Sequence, residues 1–265
     1  MKKIQNAAKL YLHYVSVNIR CAMQYKASLL LTIMGQLLVS FSTFLGIHFM
    51  FMRFHSVKGY SYQEVIACFA IVLLQFSIAE MFARGFDMFS GIVRKGEFDR
   101  VLLRPRGLIL QVLGAKFEIT RVGRMLQAIV IFLYAFSHGV VDWTAMRVLT
   151  LLIMLVSGAL LFAALFLIYA SLCFFTLEGL EFMNVLTDGG REYGKYPIDV
   201  YGKRLLQFST YAVPYALVQY YPLQYLLGRS GNVLYMLCPL GVGIFLLAAY
   251  GLWRVGLRHY TSCGS

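Results

Sequence analysis

The chain has 265 residues, of which 60% are hydrophobic and only 14% charged, and its formal net charge is +12. A soluble domain carries about 25% charged residues and could not enclose this much apolar surface, so lipid is the expected solvent for much of the fold. The basic excess suits loops that orient helices and meet anionic lipid rather than nucleic acid.

The length suits one membrane domain, residues 1–265, with short loops and no second globular unit. Residues 1–26 read as an amphipathic helix. Lys2, Lys9, His13 and Arg20 fall on one side of it, and Ile4, Ala8, Tyr11, Val15 and Ile19 on the other. A basic helix of this kind lies in the membrane interface. The first long apolar run starts only at Ala27, which speaks against a removable signal peptide.

Six spans are expected. Ala27–Met52 has 26 residues without charge and is the first. Tyr60–Ala83 is the second, with Glu80 near its end, and Arg84 either pairs with Glu80 or snorkels to the headgroups. A polar connector, 84–116, follows and runs on in basic sequence to Arg124. Met125–Val141 is the third span, and Val148–Leu177, a run of 30 residues without charge, the fourth. That run exceeds one perpendicular crossing, so tilt or a bend is expected, with Gly158 allowing close packing. Ser230–Trp253 is the last.

The fifth span has two readings. Leu205–Gly228 is uncharged but contains Pro214, Pro222 and five tyrosines. It is either the span itself or a re-entrant segment sheltered by protein, in which case Glu181–Pro197 crosses.

Basic residues set the orientation. Five precede the first span, nine lie between Arg84 and Arg124, and two follow the last span, which places both termini in the cytoplasm. Arg191, Lys195, Lys203 and Arg204 fall inside on the simple span reading and outside on the re-entrant one.

Candidate chemistry is sparse. Gly189–Lys195 has the glycine and lysine spacing of a phosphate loop, but Tyr196 stands where a Ser or Thr should reach magnesium, and no strand precedes it. His138 with Asp142 reads as a helix end, and Glu178 with Glu181 as a turn. The five cysteines, Cys21, Cys68, Cys173, Cys238 and Cys263, form no CxxC pair and read as packing residues. No catalytic, cofactor-binding or metal-binding residues are assigned, and no cofactor is expected in the chain itself.

The connector reads Gly96-Glu97-Phe98-Asp99-Arg100-Val101-Leu102-Leu103-Arg104-Pro105. It resembles the Gly-x-x-Asp/Glu-x-x-Leu-x-x-Pro signature of ABC-2-type permeases. Tyr196-Pro197-Ile198 through Tyr201, Tyr220-Tyr221-Pro222-Leu223 with Leu226-Leu227-Gly228, and the tail Gly256–Ser265 are similar to further runs of one branch of that family, in the same order. Gly202 departs from it, where relatives often carry a second proline.

The resemblance implies an all-α integral membrane fold: six transmembrane helices, an N-terminal interfacial helix, a cytoplasmic coupling helix and a re-entrant segment at 203–228. It implies the permease subunit of an exporter in the inner (cytoplasmic) membrane. The partners are a cytosolic ABC ATPase that binds ATP and magnesium, a second permease copy or a sister permease, and membrane lipid. It assigns ATPase coupling to Arg94, Glu97, Phe98, Asp99, Arg100, Leu103, Arg104 and Pro105, and the re-entrant pathway to Pro197, Pro214, Tyr221 and Pro222. The competing classes are an integral membrane enzyme on lipid-linked substrates and a non-transporting scaffold. Cargo is not legible beyond a lean toward hydrophobic or amphiphilic molecules.

Overall fold

The computed structural model describes residues 2–137, 139, 141–176 and 181–262, with the side chains of residues 2–4 left aside. All of the described regular structure is helical, apart from one antiparallel bridge between Val57 and Tyr60. An amphipathic helix, α1 (Lys2–Gln24), breaks at Tyr25 into α2 (Lys26–Arg53). Next comes α3 (Tyr62–Asp87), started by a capping box in which Ser61 and Glu64 satisfy each other's backbone N–H groups.

Three short helices make the connector: α4 (Phe89–Arg94), α5 (Glu97–Leu102) and α6 (Leu108–Ala115). Two long helices follow, α7 (Val122–Ser137) and α8 (Ala145–Thr176). The remainder is α9 (Phe182–Tyr193), α10 (Lys203–Tyr211), α11 (Tyr215–Val218), α12 (Tyr220–Leu226), α13 (Leu234–Leu237) and α14 (Val242–His259).

Five stretches are long and apolar enough to cross a bilayer: Lys26–Arg53, Tyr62–Arg94, Ile119–Ser137, Ala145–Thr176 and Leu234–His259. Six spans were expected, and the fifth, read as either 205–228 or 181–197, is the one without a helix of sufficient length. Between 181 and 228 no helix is long enough; α9 has 12 residues, about 18 Å at 1.5 Å per residue against a hydrocarbon core of about 30 Å. The physical reason is backbone chemistry. Pro197, Pro214 and Pro222 each lack an N–H, and Gly202 takes φ +100. The last span is also broken: Pro239 opens a 3-10 turn, Cys238–Gly241, between α13 and α14.

The broken region runs along α3. Arg191 lies over the Phe76 ring, the Gly194 carbonyl accepts from Cys68 Sγ, and Asp199 accepts from the Tyr60 hydroxyl. Residues 191–199 thus climb α3 from its middle to its N-terminal end. The 203–228 segment leaves that end, dips to Tyr215, whose hydroxyl donates to the Leu186 carbonyl, and returns to where Arg229 bonds Glu64 and the Gly59 carbonyl. It has the shape of a hairpin that comes back to the end it left.

α3 is the most enclosed long helix and α2 the most open. Two glycines allow the closest approaches to and by α3. A Cβ on Gly85 would strike the Val112 carbonyl oxygen of α6, and one on Gly158 of α8 would strike the Gln75 amide. The close packing expected at Gly158 is thus seen, and Gln75 donates to the Met154 carbonyl at 2.9 Å.

Candidate functional site

Local chemistry shapes the connector. Gly96 takes a left-handed φ of 68°, which turns the chain between α4 and α5. Glu97 and Asp99 sit in the first turn of α5, where the helix dipole favours carboxylates. One face of α5 turns inward. Phe98 is fully buried and meets Phe89, Phe174 and Tyr260 edge-on or tilted, with ring centroids 5.1, 5.4 and 5.0 Å away. Asp99 accepts from the Tyr260 hydroxyl at 2.9 Å and from Ser262 at 2.5 Å. Both donors belong to the tail beyond α14.

The other face is open. Arg94, Glu97, Arg100, Arg104 and Pro105 are exposed, and Leu103 is 86% exposed. Among the described residues, none of these charged side chains forms an ion pair within the chain. The exposed set is an apolar tip with a mostly basic rim, held by an aromatic anchor. Of the eight residues assigned to coupling, six face outward, and Phe98 and Asp99 tie the connector to the rest of the molecule.

α6 and α1 support this platform. Asn18 donates to the Gly114 carbonyl at 3.2 Å, and Tyr14 packs where a Gly114 Cβ would be. Tyr11 donates to the Phe82 carbonyl at 3.0 Å, and burial pushes its hydroxyl pKa up to about 12. The amphipathic N-terminal helix is therefore packed on α6 through Tyr14 and Asn18 and on α3 through Tyr11.

At the opposite end, the hairpin is closed by polar contacts. Tyr60 donates to Asp199 at 2.9 Å and accepts from Gln224 at 2.5 Å. Burial, then the hydrogen bond to Asp199, raises the Tyr60 hydroxyl well above its ordinary pKa, so it stays a donor. Arg229 grips Glu64 with two bonds, 2.7 and 2.8 Å, and stacks 4.1 Å over the Tyr60 ring. Pro197, Pro214 and Pro222 are all buried here. Pro214 sits at the tip of the hairpin between α10 and α11, while Tyr221 holds its two arms through Thr210 at 3.3 Å.

The sequence reading missed a third feature. Glu80 is 4% exposed and is shared by three guanidinium groups: Arg84 at 3.2 Å, Arg121 at 3.1 Å, and Arg124. Arg84 was expected; Arg121 and Arg124 read as loop cations. The available signal was Glu80 itself, a costly charge in an apolar run that requires partners. Asp199 was missed as well. Glycines 189 and 190, which mimic a phosphate loop, lie inside α9. Gly190 makes room for Tyr215, whose hydroxyl oxygen would lie 2.6 Å from an added Cβ.

Cys68 and Cys173 are buried as packing residues, whereas Cys21 is exposed. His138 of the His138/Asp142 pair, Glu178 of the Glu178/Glu181 pair and the tail end at 263–265 lie outside the described residues.

A family profile described as "ABC-2 family transporter protein" matches residues 37–264, which includes the connector, the hairpin and most of the tail. No curated protein and no solved structure matches the chain. The matched stretch takes in nearly all of the apolar helices of this multi-pass membrane protein, and the chain belongs to the ABC-2 family of transporter proteins.

Proposed function

We propose that this chain is the membrane-spanning permease subunit of an ATP-binding cassette exporter. It moves a hydrophobic or amphiphilic substrate across the inner (cytoplasmic) membrane. A separate cytosolic ABC ATPase binds ATP and magnesium and hydrolyses the nucleotide, and family membership implies such a partner in general. Two permeases, identical or related, pair around the pathway. Both termini and the connector face the cytoplasm. The fifth crossing is made by α9 with the turn that follows it, and 203–228 re-enters from the outer side.

The observation that carries this reading is the two-faced connector. Phe98 and Asp99 fasten it to α8 and the tail, while Leu103 and its charged rim face solvent. A part that is rigidly tied on one side and open on the other can pass a push from a docked motor to the helices. Phe89, Phe98, Phe174 and Trp253 form one aromatic cluster, so a displaced α5 moves α8 and α14 with it.

The test is purification of the tagged full-length chain from its native membrane. ATPase activity is expected only in fractions that retain a separate nucleotide-binding protein. Hydrolysis by the chain alone would contradict the proposal.

A further inference from the structure

A small cleft opens between α2, α3, α7 and the end of α9. Its polar lining is Ser40, Thr43, Arg124, Arg191, Glu192 and Lys195. Three cations therefore face one carboxylate. Glu192 is engaged by both Arg191 and Lys195, and Arg191 also pairs with Asp188 at 3.4 Å, outside the cleft lining. Arg124 reaches Glu80, a carboxylate shared with Arg121 and with Arg84, which also pairs with Asp87 at 2.7 Å. Arg124 is 5% exposed, and its Nε has no hydrogen-bond partner.

Two of these cations crowd one ring. The guanidinium carbons of Arg124 and Arg191 lie 5.8 and 5.0 Å from the Phe76 centroid. The ring attracts each of them, but it cannot neutralise two like charges. Phe76 lies near the middle of α3, so the cleft sits deep in the bundle. Asn184, Asp188 and Glu192 also lie four residues apart along α9 and are exposed there. Charged groups at such depth do not face hydrocarbon; they line a watery path or meet a ligand.

From the three cations on its wall, the buried and unpartnered Arg124 Nε and the depth of the cleft, we infer that it is a binding site for the anionic group of an amphiphile. The space measures about 40 Å³, room for about three waters and hence for a phosphate or carboxylate. Arg124 Nε and the Arg191 and Lys195 side chains supply donors, and the hydroxyls of Ser40 and Thr43 stand on the facing wall. The apolar part of the ligand extends along α2. The inference rests on the permease reading and adds the charge class of its cargo.

The experiment is native mass spectrometry of the full-length chain in nonionic detergent, titrated with dioleoylphosphatidic acid, dioleoylglycerol or glycerol 3-phosphate. Phosphatidic acid should bind about tenfold or more tighter than either of the other two. The double variant Arg191→Gln/Lys195→Ala should lose about tenfold of that affinity. The connector variant Arg94→Ala/Arg100→Ala/Arg104→Ala should keep it within about twofold. Lys195→Gln, which leaves Arg191 on Phe76, should show a partial loss and guards against a misfolded double variant.

Equal binding of dioleoylglycerol would overturn the anion site. Equal binding of glycerol 3-phosphate would overturn the amphiphile. Loss confined to the connector variant would place the lipid at the surface and overturn the assignment. No ATP or partner enters the measurement, so its failure leaves the permease proposal standing. Failure of ATPase copurification would leave the anion site standing and remove only its assignment to cargo.

Discussion

Asp99 on α5 is bonded by Tyr260, a residue 161 positions later in the chain. The two belong to motifs far apart in the sequence, the connector and the tail, and the fold makes them one site. Tyr260 also meets Phe98 and Phe174 edge-on. The tail is thereby part of the connector's foundation.

Removing that tie should loosen the connector without unfolding the helices. A hydrogen bond to a charged group contributes about 1.5–3 kcal/mol. Tyr260→Phe should lower the thermal midpoint by a few degrees and reduce ATP-coupled activity of the complex, while Ser262→Ala does less. A double-mutant cycle between Asp99→Asn and Tyr260→Phe should give a coupling of about 1 kcal/mol or more. Additive effects would show that the bond carries nothing.

Phe98 and Leu103 should separate folding from docking. Phe98→Ala opens a cavity in a closed aromatic cluster and should cost about 3–5 kcal/mol, read as lower yield and a lower melting point. Leu103→Glu changes an exposed tip. It should leave melting unchanged and weaken ATPase association about tenfold or more. Unaltered association after Leu103→Glu would remove the tip from the docking surface.

Glu80 holds three arginines, so its loss strands buried positive charge. Glu80→Ala should destabilise the fold by about 3–5 kcal/mol. The double variant Glu80→Ala/Arg124→Ala should recover part of this, because one stranded cation goes with it. Thermal unfolding in detergent reports both. Equal stability of Glu80→Ala and the parent chain would mean that water reaches the cluster.

The hairpin closure should behave as a unit. Arg229→Ala removes both hydrogen bonds to Glu64 and the one to the Gly59 carbonyl. Hydrogen exchange should quicken across 220–230 and leave the middle of α3 protected. Unchanged exchange at 220–230 would show that the prolines and tyrosines alone hold the hairpin.

Gly85 and Gly46 give a paired test of packing. A methyl at Gly85 meets a backbone oxygen of α6 that cannot rotate away, whereas nothing lies within 4 Å of one at Gly46. Gly85→Ala should lower the melting point sharply. Gly46→Ala should be neutral or stabilising by up to about 1 kcal/mol.

The long helices were legible because an uncharged run of sufficient length leaves a bilayer few other solutions. Ala27–Met52 reappears as α2 and Val148–Leu177 as α8, each within a few residues where described. The broken region at 181–228 was only half legible. Its prolines announced breaks, but which pieces climb and which dip depends on bonds such as Tyr60 to Asp199, which join residues far apart in the chain. The connector motif was visible, yet its two faces were not. With six residues, α5 is too short to show a periodicity that separates Phe98 from Leu103. Arg121 and Arg124 were hidden because a cation in sequence looks the same whether it meets water or a buried carboxylate.

The most direct measurement is photo-crosslinking from position 103 in native membranes, with a photoreactive amino acid in place of Leu103. The account predicts capture of a cytosolic protein that carries an ABC nucleotide-binding domain, lost when the same probe replaces buried Phe98. Labelling of position 103 by a membrane-impermeant reagent on intact cells, with no ATPase captured, would contradict it.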